Sequence, residues 1–457
     1  MRLLSGKNDL TEGVVWRKLL RFFFPILLGL LFQQLYNTAD ALILGRFVND
    51  DALGAVGGSC AAITNVIIGF FNGLNGGATV LISQKYGAGD HEGVSRTLHT
   101  AIIFCLGIGL LITVCGYFAT PALLKMVGNP ATFEADSTTY LRIYLVGAIP
   151  LLMYNLFQGT LQGVGDSGRP LIYLICSCVT NICLDLLFVG ALKMEVAGAA
   201  WASVISMTLC VLLAASHLFR VQGPHRVQIR KLRFDKSMFR GILRIGLPAG
   251  IQGSMYSISN LIIQSAVNTF DHTMVTSWTA TGKLDGFYWS VSNAFGVAIC
   301  AFVGQCYGAG KIDRMKKAIR ICMIMALITT VILSATLMLV AYPAYHTFIR
   351  DEQTILDAIE IMSYFVPYYF VWSFVEVLGG TFRGTGDTLR PMIMTMLGTC
   401  VLRIIWMAFV VPHWHTIMAV SIIYVISWCL TGTAFIVYYF KGNWMRLKRE
   451  PKPSIPS

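Results

Sequence analysis

Acidic and amide side chains interrupt the long apolar runs of this 457-residue chain at a few positions, and their spacing indicates chemistry. Gln33, Asn37 and Asp40 fall at i, i+4 and i+7, so a helix would place them on one face. A polar stripe on an otherwise apolar helix must face protein or water rather than lipid. A carboxylate in such a stripe is a candidate for binding a cation. The alternative is an interfacial carboxylate that reaches water near the helix end.

A second carboxylate, Asp185, follows Asn181 by one helical turn in a later apolar run. Both runs are predicted to cross the membrane in the same direction, which places Asp40 and Asp185 at a similar depth. Each carboxylate also has an asparagine three or four residues before it, Asn37 or Asn181. We therefore expect these four side chains to form one cation-coupling site, in which a carboxylate carries a proton. Two Asp and an Asn would ligate Na⁺ as readily, so the ion stays open.

The second half of the chain carries a mixed-charge set in its apolar runs: Lys283, Asp285, Glu376 and Arg403. Two acids and two bases could neutralise one another, or they could contact a cationic substrate, and both readings stay open. Aromatic faces attract organic cations, although aromatic residues at helical spacing are more often packing residues. The aromatic residues in question are Tyr36, Tyr154, Phe157, Phe287, Tyr288, Trp289, Tyr368, Tyr369 and Trp372.

Composition places these residues in a membrane protein. Hydrophobic residues make up 55% of the chain and charged residues 13%, against about 25% charged in soluble domains. Several runs reach the roughly 18 apolar residues that cross a bilayer. The net charge of +12 lies in alternate loops, as in membrane proteins, which argues against a nucleic-acid partner. The 12 cysteines have no metal-ligand spacing, so we expect no disulfide framework, metal or cofactor.

We predict an all-α integral membrane protein with twelve transmembrane helices. We expect an N-terminal lobe at 1–219, a basic cytoplasmic linker at 220–241, a C-terminal lobe at 242–440 and a cytoplasmic tail at 441–457. The predicted spans lie near 17–45, 52–82, 94–118, 137–162, 170–190, 197–219, 242–269, 275–304, 316–341, 356–381, 390–411 and 417–440.

The loop charges predict the orientation. The connection between spans 6 and 7 and the tail are basic, whereas Asp50-Asp51 and other acids occupy the opposite loops. By the positive-inside rule, both termini are expected to be cytoplasmic in a multi-pass cell membrane protein. The N-terminus has no signal-peptide cleavage pattern, so we expect the first helix to stay in the membrane. The tail cations are Lys441, Arg446, Lys448 and Arg449.

An internal repeat relates the two halves. The segment Gln84-Lys85-Tyr86-Gly87-Ala88-Gly89 recurs as Gln305-Cys306-Tyr307-Gly308-Ala309-Gly310, and the offset is 305 − 84 = 221. The turn that begins Gly163-Val164-Gly165-Asp166 recurs as Gly384-Thr385-Gly386-Asp387 at the same offset. Six spans per half give both halves the same orientation, so the pseudo-twofold axis lies along the membrane normal. At this offset Glu376 corresponds to Asn155, a break in the symmetry.

These motifs together resemble the multidrug and toxic compound extrusion (MATE) transporters over nearly the full chain. The resemblance rests on the two repeated turns, on Asn181…Asp185, and on Gln33-Gln34-Leu35-Tyr36-Asn37-Thr38-Ala39-Asp40. It implies two six-helix lobes around a central cavity and export of amphipathic, usually cationic drugs in exchange for H⁺ or Na⁺. The absence of acidic residues from Ile242 to Thr269 places the chain nearer the DinF-like branch than the NorM-like branch, which has a glutamate in span 7.

We therefore expect a monomeric antiporter that exports organic cations by alternating access. A proton is the favoured coupling ion, and Asp40 is the main coupling acid. The expected substrate-binding residues are Gln33, Gln34, Tyr36, Asn155, Asp285, Glu376, Trp289 and Trp372. The alternatives are a Na⁺-coupled exporter, a lipid-linked precursor flippase of the same superfamily, and a membrane enzyme. The spans contain no metal or nucleophile constellation for an enzyme, and a flippase would require a strongly cationic cavity.

Overall fold

The computed structural model describes residues 9–48, 54, 56–347 and 349–445, which contain twelve helices and no β-strand. The predicted loop at Asp50-Asp51 and the tail cations Arg446, Lys448 and Arg449 lie outside the described residues. The helices are α1 Val15–Phe47, α2 Val56–Gly87, α3 His91–Met126, α4 (the bent pair Ala131–Val146 and Ala148–Gly163), α5 Gly168–Ala191, α6 Glu195–Arg220, α7 Lys236–Val267, α8 His272–Gly308, α9 Ile312–His346, α10 Glu352–Thr385, α11 Leu389–Phe409 and α12 Ile417–Lys441.

Most of these helices are suited to a bilayer. In the described part of the chain, ten are individually long and apolar enough to cross a membrane, and α4, bent by 48°, adds an eleventh. The remaining helix, α7, carries polar side chains such as Gln252, Ser257 and Asn260 along its 32 residues. It packs along α2, where the Ser257 hydroxyl donates to the carbonyl oxygen of Asn65 at 3.2 Å. The prediction of an all-helical fold is confirmed, with helix ends extending several residues beyond the predicted spans.

The repeated sequence turns form repeated backbone turns. α2 ends at Gly87 and α3 begins at His91, while α8 ends at Gly308 and α9 begins at Ile312, each 221 residues later. Gly89 and Gly310 have φ angles of +73° and +70°, a left-handed conformation that glycine adopts without steric cost. The same left-handed position therefore recurs in both halves, and glycine, which is favoured there, occupies it in each.

Glycines allow the two halves to meet closely where α2 crosses α7. A side chain at Gly73 would place its Cβ 2.3 Å from the carbonyl carbon of Ala249 and the amide nitrogen of Gly250. Gly77 approaches Gly246 in the same way, one turn further along. In a membrane, helices associate mainly by close packing, which small residues permit. The α2–α7 crossing is therefore a backbone-to-backbone seam between the lobes.

A symmetric pair of glutamines joins the lobes at the end that carries the repeated turns. Gln84 Nε2 donates to the Gly384 carbonyl oxygen at 2.8 Å, and Gln305 Nε2 donates to the Gly163 carbonyl oxygen at 2.9 Å. Both donors and both acceptors are related by the 221-residue offset. Ser83 adds a third cross-lobe bond, 2.9 Å from its Oγ to the carbonyl oxygen of Ala301. The lobes are closed against each other at this end.

The linker between the halves packs against the N-terminal lobe. The Gln228 amide donates to His99 Nε2 at 3.0 Å, and the Asp235 amide donates to Thr100 Oγ1 at 3.2 Å. Asp235 also caps α7, which begins at Lys236 inside the predicted 220–241 linker. Burial lowers the pKa of the linker's His225 to about 4, so this imidazole is neutral at physiological pH. The linker therefore packs against the N-terminal lobe, through the contacts of Gln228 and Asp235 with α3.

The α2–α7 seam gives a direct stability test. Gly73→Ala should force the two backbones apart and lower the free energy of unfolding by about 1–3 kcal/mol, as overpacking does. Gly76→Ala is the matched control because a Cβ there has no neighbouring atom within 4 Å. The unfolding temperature in detergent would be measured for both variants. Equal unfolding temperatures for the two variants would show that the seam is not tightly packed.

Candidate functional site

The two predicted acids of the N-terminal lobe, Asp40 and Asp185, both contact the side-chain amide of Asn181. With the amide nitrogen of Asn181 facing the carboxylates, it donates to Asp40 Oδ1 at 2.8 Å and to Asp185 Oδ2 at 3.1 Å. Asp185 and Asn181 are fully buried on α5, and Asp40 is partly buried on α1. α1 and α5 pack side by side, for example where Leu174 lies close to Gly29. The two carboxylates therefore lie close together, and Asn181 contacts both of them.

The charge of this pair has no basic counterpart nearby. Among the described residues, no Lys or Arg nitrogen lies within 4.0 Å of either carboxylate. Asp185 Oδ1 is buried and has no hydrogen-bond donor. Two carboxylates that are removed from water, share one hydrogen-bond donor and leave one oxygen without a donor cost free energy. A bound cation would offset that cost. The arrangement can therefore hold a proton between two oxygens, or a small metal ion.

Tyrosine hydroxyls surround the pair. Tyr36, four residues before Asp40 on α1, lies 2.9 Å from Ser203 Oγ on α6 through its hydroxyl oxygen. Tyr140 and Tyr144 on α4 stack on each other and lie near enough to Asp40 to interact with its charge. α1, α4, α5 and α6 thus enclose the site. A π-helical turn, Leu186–Ala191, begins directly after Asp185, and such turns are frequent at functional sites.

Two of the predicted stripe residues lie apart from this cluster. Asn37 is exposed, and the structure gives it no hydrogen bond to Asp40, Asp185 or Asn181. Gln33 is also exposed, one turn earlier on the same face of α1. The predicted coupling network of four therefore contracts to three side chains in this structure. Asn37 and Gln33 instead present polar groups to the space beside α1. Gln34 is partly buried, and its amide approaches the α8 backbone at Gly286.

The C-terminal lobe has its own acid, the partly buried Asp285 on α8. Its Oδ2 accepts a hydrogen bond from Trp289 Nε1 at 2.6 Å, and its Oδ1 accepts one from the Tyr369 hydroxyl. The ring of Tyr369 stacks on Tyr288, with centroids 3.7 Å apart. Trp289 in turn meets Trp372 edge to face, at 5.3 Å between centroids. Asp285 thus lies in an aromatic cluster contributed by α8 and α10.

Mutual neutralisation, one of the two readings left open for the mixed-charge set, is not seen: Lys283, Asp285, Glu376 and Arg403, all among the described residues, form no ion pair with one another. Glu376 Oε1 pairs with Arg383 at 3.2 Å, and Arg383 lies seven residues further along α10. Arg403 is buried over the Tyr424 ring at 4.1 Å and donates to Ser427, with no carboxylate within 4.0 Å among the described residues. Lys283 is exposed. It lies two residues before Asp285, and side chains two residues apart on a helix point to different faces, so Lys283 does not reach the Asp285 carboxylate.

A small cavity of about 60 Å³ adjoins the Glu376–Arg383 pair. Tyr256 and Gln252 of α7, with Trp372 of α10, form part of its lining. A polar cavity of this size can hold ordered water. Asn155, the symmetry counterpart of Glu376, is partly buried and belongs to neither this cavity nor the Asp40 cluster.

Sequence reasoning missed Arg383 and Ser203 as site residues. The spacing of seven between Glu376 and Arg383 places both on one face of α10, so helical periodicity could have found that pair. Ser203 has no such signal, because serines recur throughout α6 and only the fold brings this one to Tyr36. The contribution of Tyr140 and Tyr144 depends in the same way on how α4 packs.

The chain has the fold and site of a membrane transporter, and sequence comparison identifies the family. The MatE family profile matches residues 25–187 and 248–409, one segment in each lobe. This chain therefore belongs to the MatE family, whose members are transporters and not enzymes.

Known relatives cover almost all of the chain. The probable multidrug resistance protein YoeA of Bacillus subtilis is 26% identical over 412 residues, covering 88% of each chain. The probable multidrug resistance protein YpnP of the same organism is 25% identical over 440 residues, covering 96% of this chain and 98% of its own. The structure of a multidrug resistance MATE transporter in an outward-facing conformation superposes with a TM-score of 0.89 at 23% identity, covering 96% and 99% of the two chains.

The shared amide makes a prediction for Asn181. Asn181→Leu removes both hydrogen bonds to the carboxylates while roughly preserving side-chain volume. Because hydrogen bonds to charged groups each contribute about 1.5–3 kcal/mol, we expect at least a tenfold loss of efflux rate. Efflux of ethidium from membrane vesicles would be compared at equal protein levels.

Thr180→Val is the matched control for Asn181→Leu. Thr180 lies next to Asn181 on α5 but is exposed and bonds only its own helix, through the Cys176 carbonyl oxygen. It should keep the parental efflux rate. Normal efflux by the Asn181 variant would mean that the shared amide has no role in transport.

Proposed function

We propose that this chain is a cation-coupled antiporter that exports amphipathic, mostly cationic compounds by alternating access, with H⁺ as the coupling ion. The observation that carries this proposal is the pair Asp40 and Asp185 on the Asn181 amide. Asp185 is buried, Asp40 is partly buried, and neither has a basic partner among the described residues. A buried ionisable group inside a membrane span is expensive and marks an ion pathway in most transporters. A proton neutralises this pair with the least rearrangement, since the two carboxylates already share one donor.

The coupling step follows from the charge of the pair. A proton that binds between Asp40 and Asp185 removes negative charge from the cavity side of α1. A cationic substrate held near that charge is then bound less tightly and leaves. Loss of the proton on the opposite side restores the charge and the affinity for the next substrate. Ion and substrate thus compete for one charge, which is sufficient for exchange.

The closed end of the molecule supports alternating access. The Gln84 and Gln305 bonds join the lobes at the turn-bearing end, whereas Gln33 and Asn37 of α1 and Asn260 of α7 are exposed further along. Exposed polar side chains within membrane helices require water or protein beside them. We infer a water-accessible space that opens away from the closed end. With the turns in the cytoplasm, as loop charge indicates, this conformation faces outward.

The C-terminal lobe supplies the proposed aromatic part of the substrate site. Trp289, Trp372 and Tyr369 surround the Asp285 carboxylate, a combination that attracts organic cations. Tyr36, Gln34 and Gln33 approach from α1, and Gln34 contacts α8 near Gly286. Asn155 and Glu376 remain proposed contributors, each in its own lobe. We propose that the protein acts as a monomer in the cell membrane with both termini in the cytoplasm.

Sodium coupling on the same scaffold is the second candidate. The free Asp185 Oδ1 and the oxygens of Asp40, Asn181 and Ser203 are hard ligands of the kind that alkali and alkaline-earth cations take. This would require the Asn181 amide to turn its oxygen toward the ion. A lipid-linked precursor flippase is less well supported, because the carboxylates that lie in the N-terminal lobe would repel a phosphate group.

The function is tested by ethidium uptake into everted membrane vesicles, with one imposed gradient at a time. We expect ethidium transport in a pH gradient without Na⁺, and no transport in a Na⁺ gradient at clamped pH. Asp40→Asn keeps the side-chain shape but removes the charge, so it should lower pH-driven transport at least tenfold.

The exposed Glu134 on α4 provides the control for Asp40→Asn. Glu134→Gln removes one negative charge outside the site and should leave transport unchanged. Transport driven by a Na⁺ gradient alone would show that sodium, rather than the proton, is the coupling ion. Unaltered pH-driven transport by the Asp40 variant would rule out that residue as the coupling acid.

A further inference from the structure

A groove outside the transport site runs along the surface between α1 and α9, with α8 as its floor. We call it the α1–α9 groove, and its volume is about 420 Å³. Of the twelve side chains that line it, Thr329 alone is polar. Its walls are open, with Trp16, Phe24 and Ile324 each about half exposed, at 47%, 53% and 57%.

The groove lies within membrane depth and begins near the closed end of the molecule. It follows α1 from Trp16 to Leu27, eleven residues or about 16 Å of helix rise. Its length along the helices and its apolar walls suit an extended hydrocarbon chain. A transmembrane helix of another protein is a poorer fit, because such contacts require small residues at the interface. The groove is lined by Phe, Trp, Ile, Leu and Met side chains.

Basic residues lie around the end of the groove that is nearest the membrane surface. Arg314 on α9 donates to the carbonyl oxygen of Gly13 at 2.7 Å, so the first turns of α1 and α9 lie side by side. Arg17 follows Trp16 on α1, and its guanidinium lies 5.2 Å from the Trp16 ring centroid. Lys317 precedes Ile321 of the groove by one turn on α9, which places both on the same face.

The net charge at this end is positive. In segments 9–21 and 311–320, three acids (Asp9, Glu12 and Asp313) are outnumbered by eight bases: Arg17, Lys18, Arg21, Lys311, Arg314, Lys316, Lys317 and Arg320. In the described part of the chain, neither Arg17 nor Lys317 has a carboxylate within 4.0 Å. Basic residues beside a gap between membrane helices are suited to a lipid phosphate.

We propose that the α1–α9 groove binds one anionic phospholipid from the adjacent leaflet. One acyl chain would lie in the groove against Phe24, Leu27 and Ile324, and the headgroup phosphate would lie between Arg17 and Lys317. This site is separate from the acid pair, and it bridges α1 of the N-terminal lobe to α8 and α9 of the C-terminal lobe. A bound lipid would therefore join parts of both lobes at the membrane surface.

Native mass spectrometry of the purified full chain tests the proposal. The protein would be titrated with dioleoyl phosphatidylglycerol or dioleoyl phosphatidylcholine, and the fraction carrying one lipid would be measured. We expect the wild type to prefer the anionic lipid. Loss of one basic residue near a headgroup costs about fivefold in affinity, so Arg17→Gln with Lys317→Gln should weaken phosphatidylglycerol binding about thirtyfold. Phosphatidylcholine binding should change little.

Two further variants separate a built site from general surface charge. Arg230→Gln with Lys231→Gln removes one Arg and one Lys from the exposed linker and should leave lipid retention unchanged. Met325→Trp fills the groove and should reduce retention of both lipids.

Three results would overturn the proposal. These are equal retention by the Arg17/Lys317 variant and the wild type, equal loss in the linker variant, and a dimer that Met325→Trp dissolves. The last result would identify a second copy of the chain as the occupant of the groove.

Discussion

Two buried carboxylates that share one amide are the interaction on which the rest of this transporter depends. Asp40 and Asp185 lie on different helices, so α1 and α5 must pack side by side at one depth for Asn181 to reach both. Tyr140 and Tyr144 of α4 lie near enough to Asp40 to interact with its charge. No described base balances its charge, and a bound cation is the remaining means of doing so. The need for that cation is the physical basis of the proposed coupling.

The contacts between the two lobes are symmetric, but the charged residues inside the two lobes are arranged differently. Gln84 and Gln305 make equivalent cross-lobe bonds, and the glycines of α2 and α7 permit close approach without side chains between them. Backbones that contact each other directly leave little room for side chains to interdigitate at these glycines, which would suit the lobe movement that the proposed alternating access requires. The charges differ: the N-terminal lobe holds an unpaired acid pair, whereas the C-terminal lobe pairs Glu376 with Arg383 and surrounds Asp285 with rings.

Much of the fold could be predicted from sequence because lipid imposes a simple rule. Long apolar runs must become helices, and the Gly89 and Gly310 turns mark the repeat through a backbone conformation that few residues adopt. The meeting of Asp40 with Asp185 was also predictable, from helix direction and depth. Contacts that depend on how a helix is rotated about its own axis were harder to predict from sequence. Asn37 shares a face with Asp40 by periodicity, yet it points away from the shared amide. Arg403 packs over the Tyr424 ring instead of pairing with a carboxylate.

Polar residues in α7 show a second limit of sequence reasoning. Its hydropathy falls below that of the other spans because Gln252, Ser257 and Asn260 interrupt it. Ser257 finds its partner because α7 packs along α2, where its hydroxyl donates to the Asn65 carbonyl oxygen, a contact that only the assembled fold supplies. The linker is a similar case, since its basic residues predict a loop but not the contacts of Gln228 and Asp235 with α3.

The most direct test of the account counts protons released when substrate binds to the purified protein. Ethidium would be added to the transporter in weakly buffered, Na⁺-free detergent solution with a pH indicator. Competition for one charge predicts the release of about one proton per ethidium bound by the wild type, and none by Asp40→Asn. Saturable ethidium binding by the wild type without proton release would contradict the claim that the acid pair couples ion to substrate.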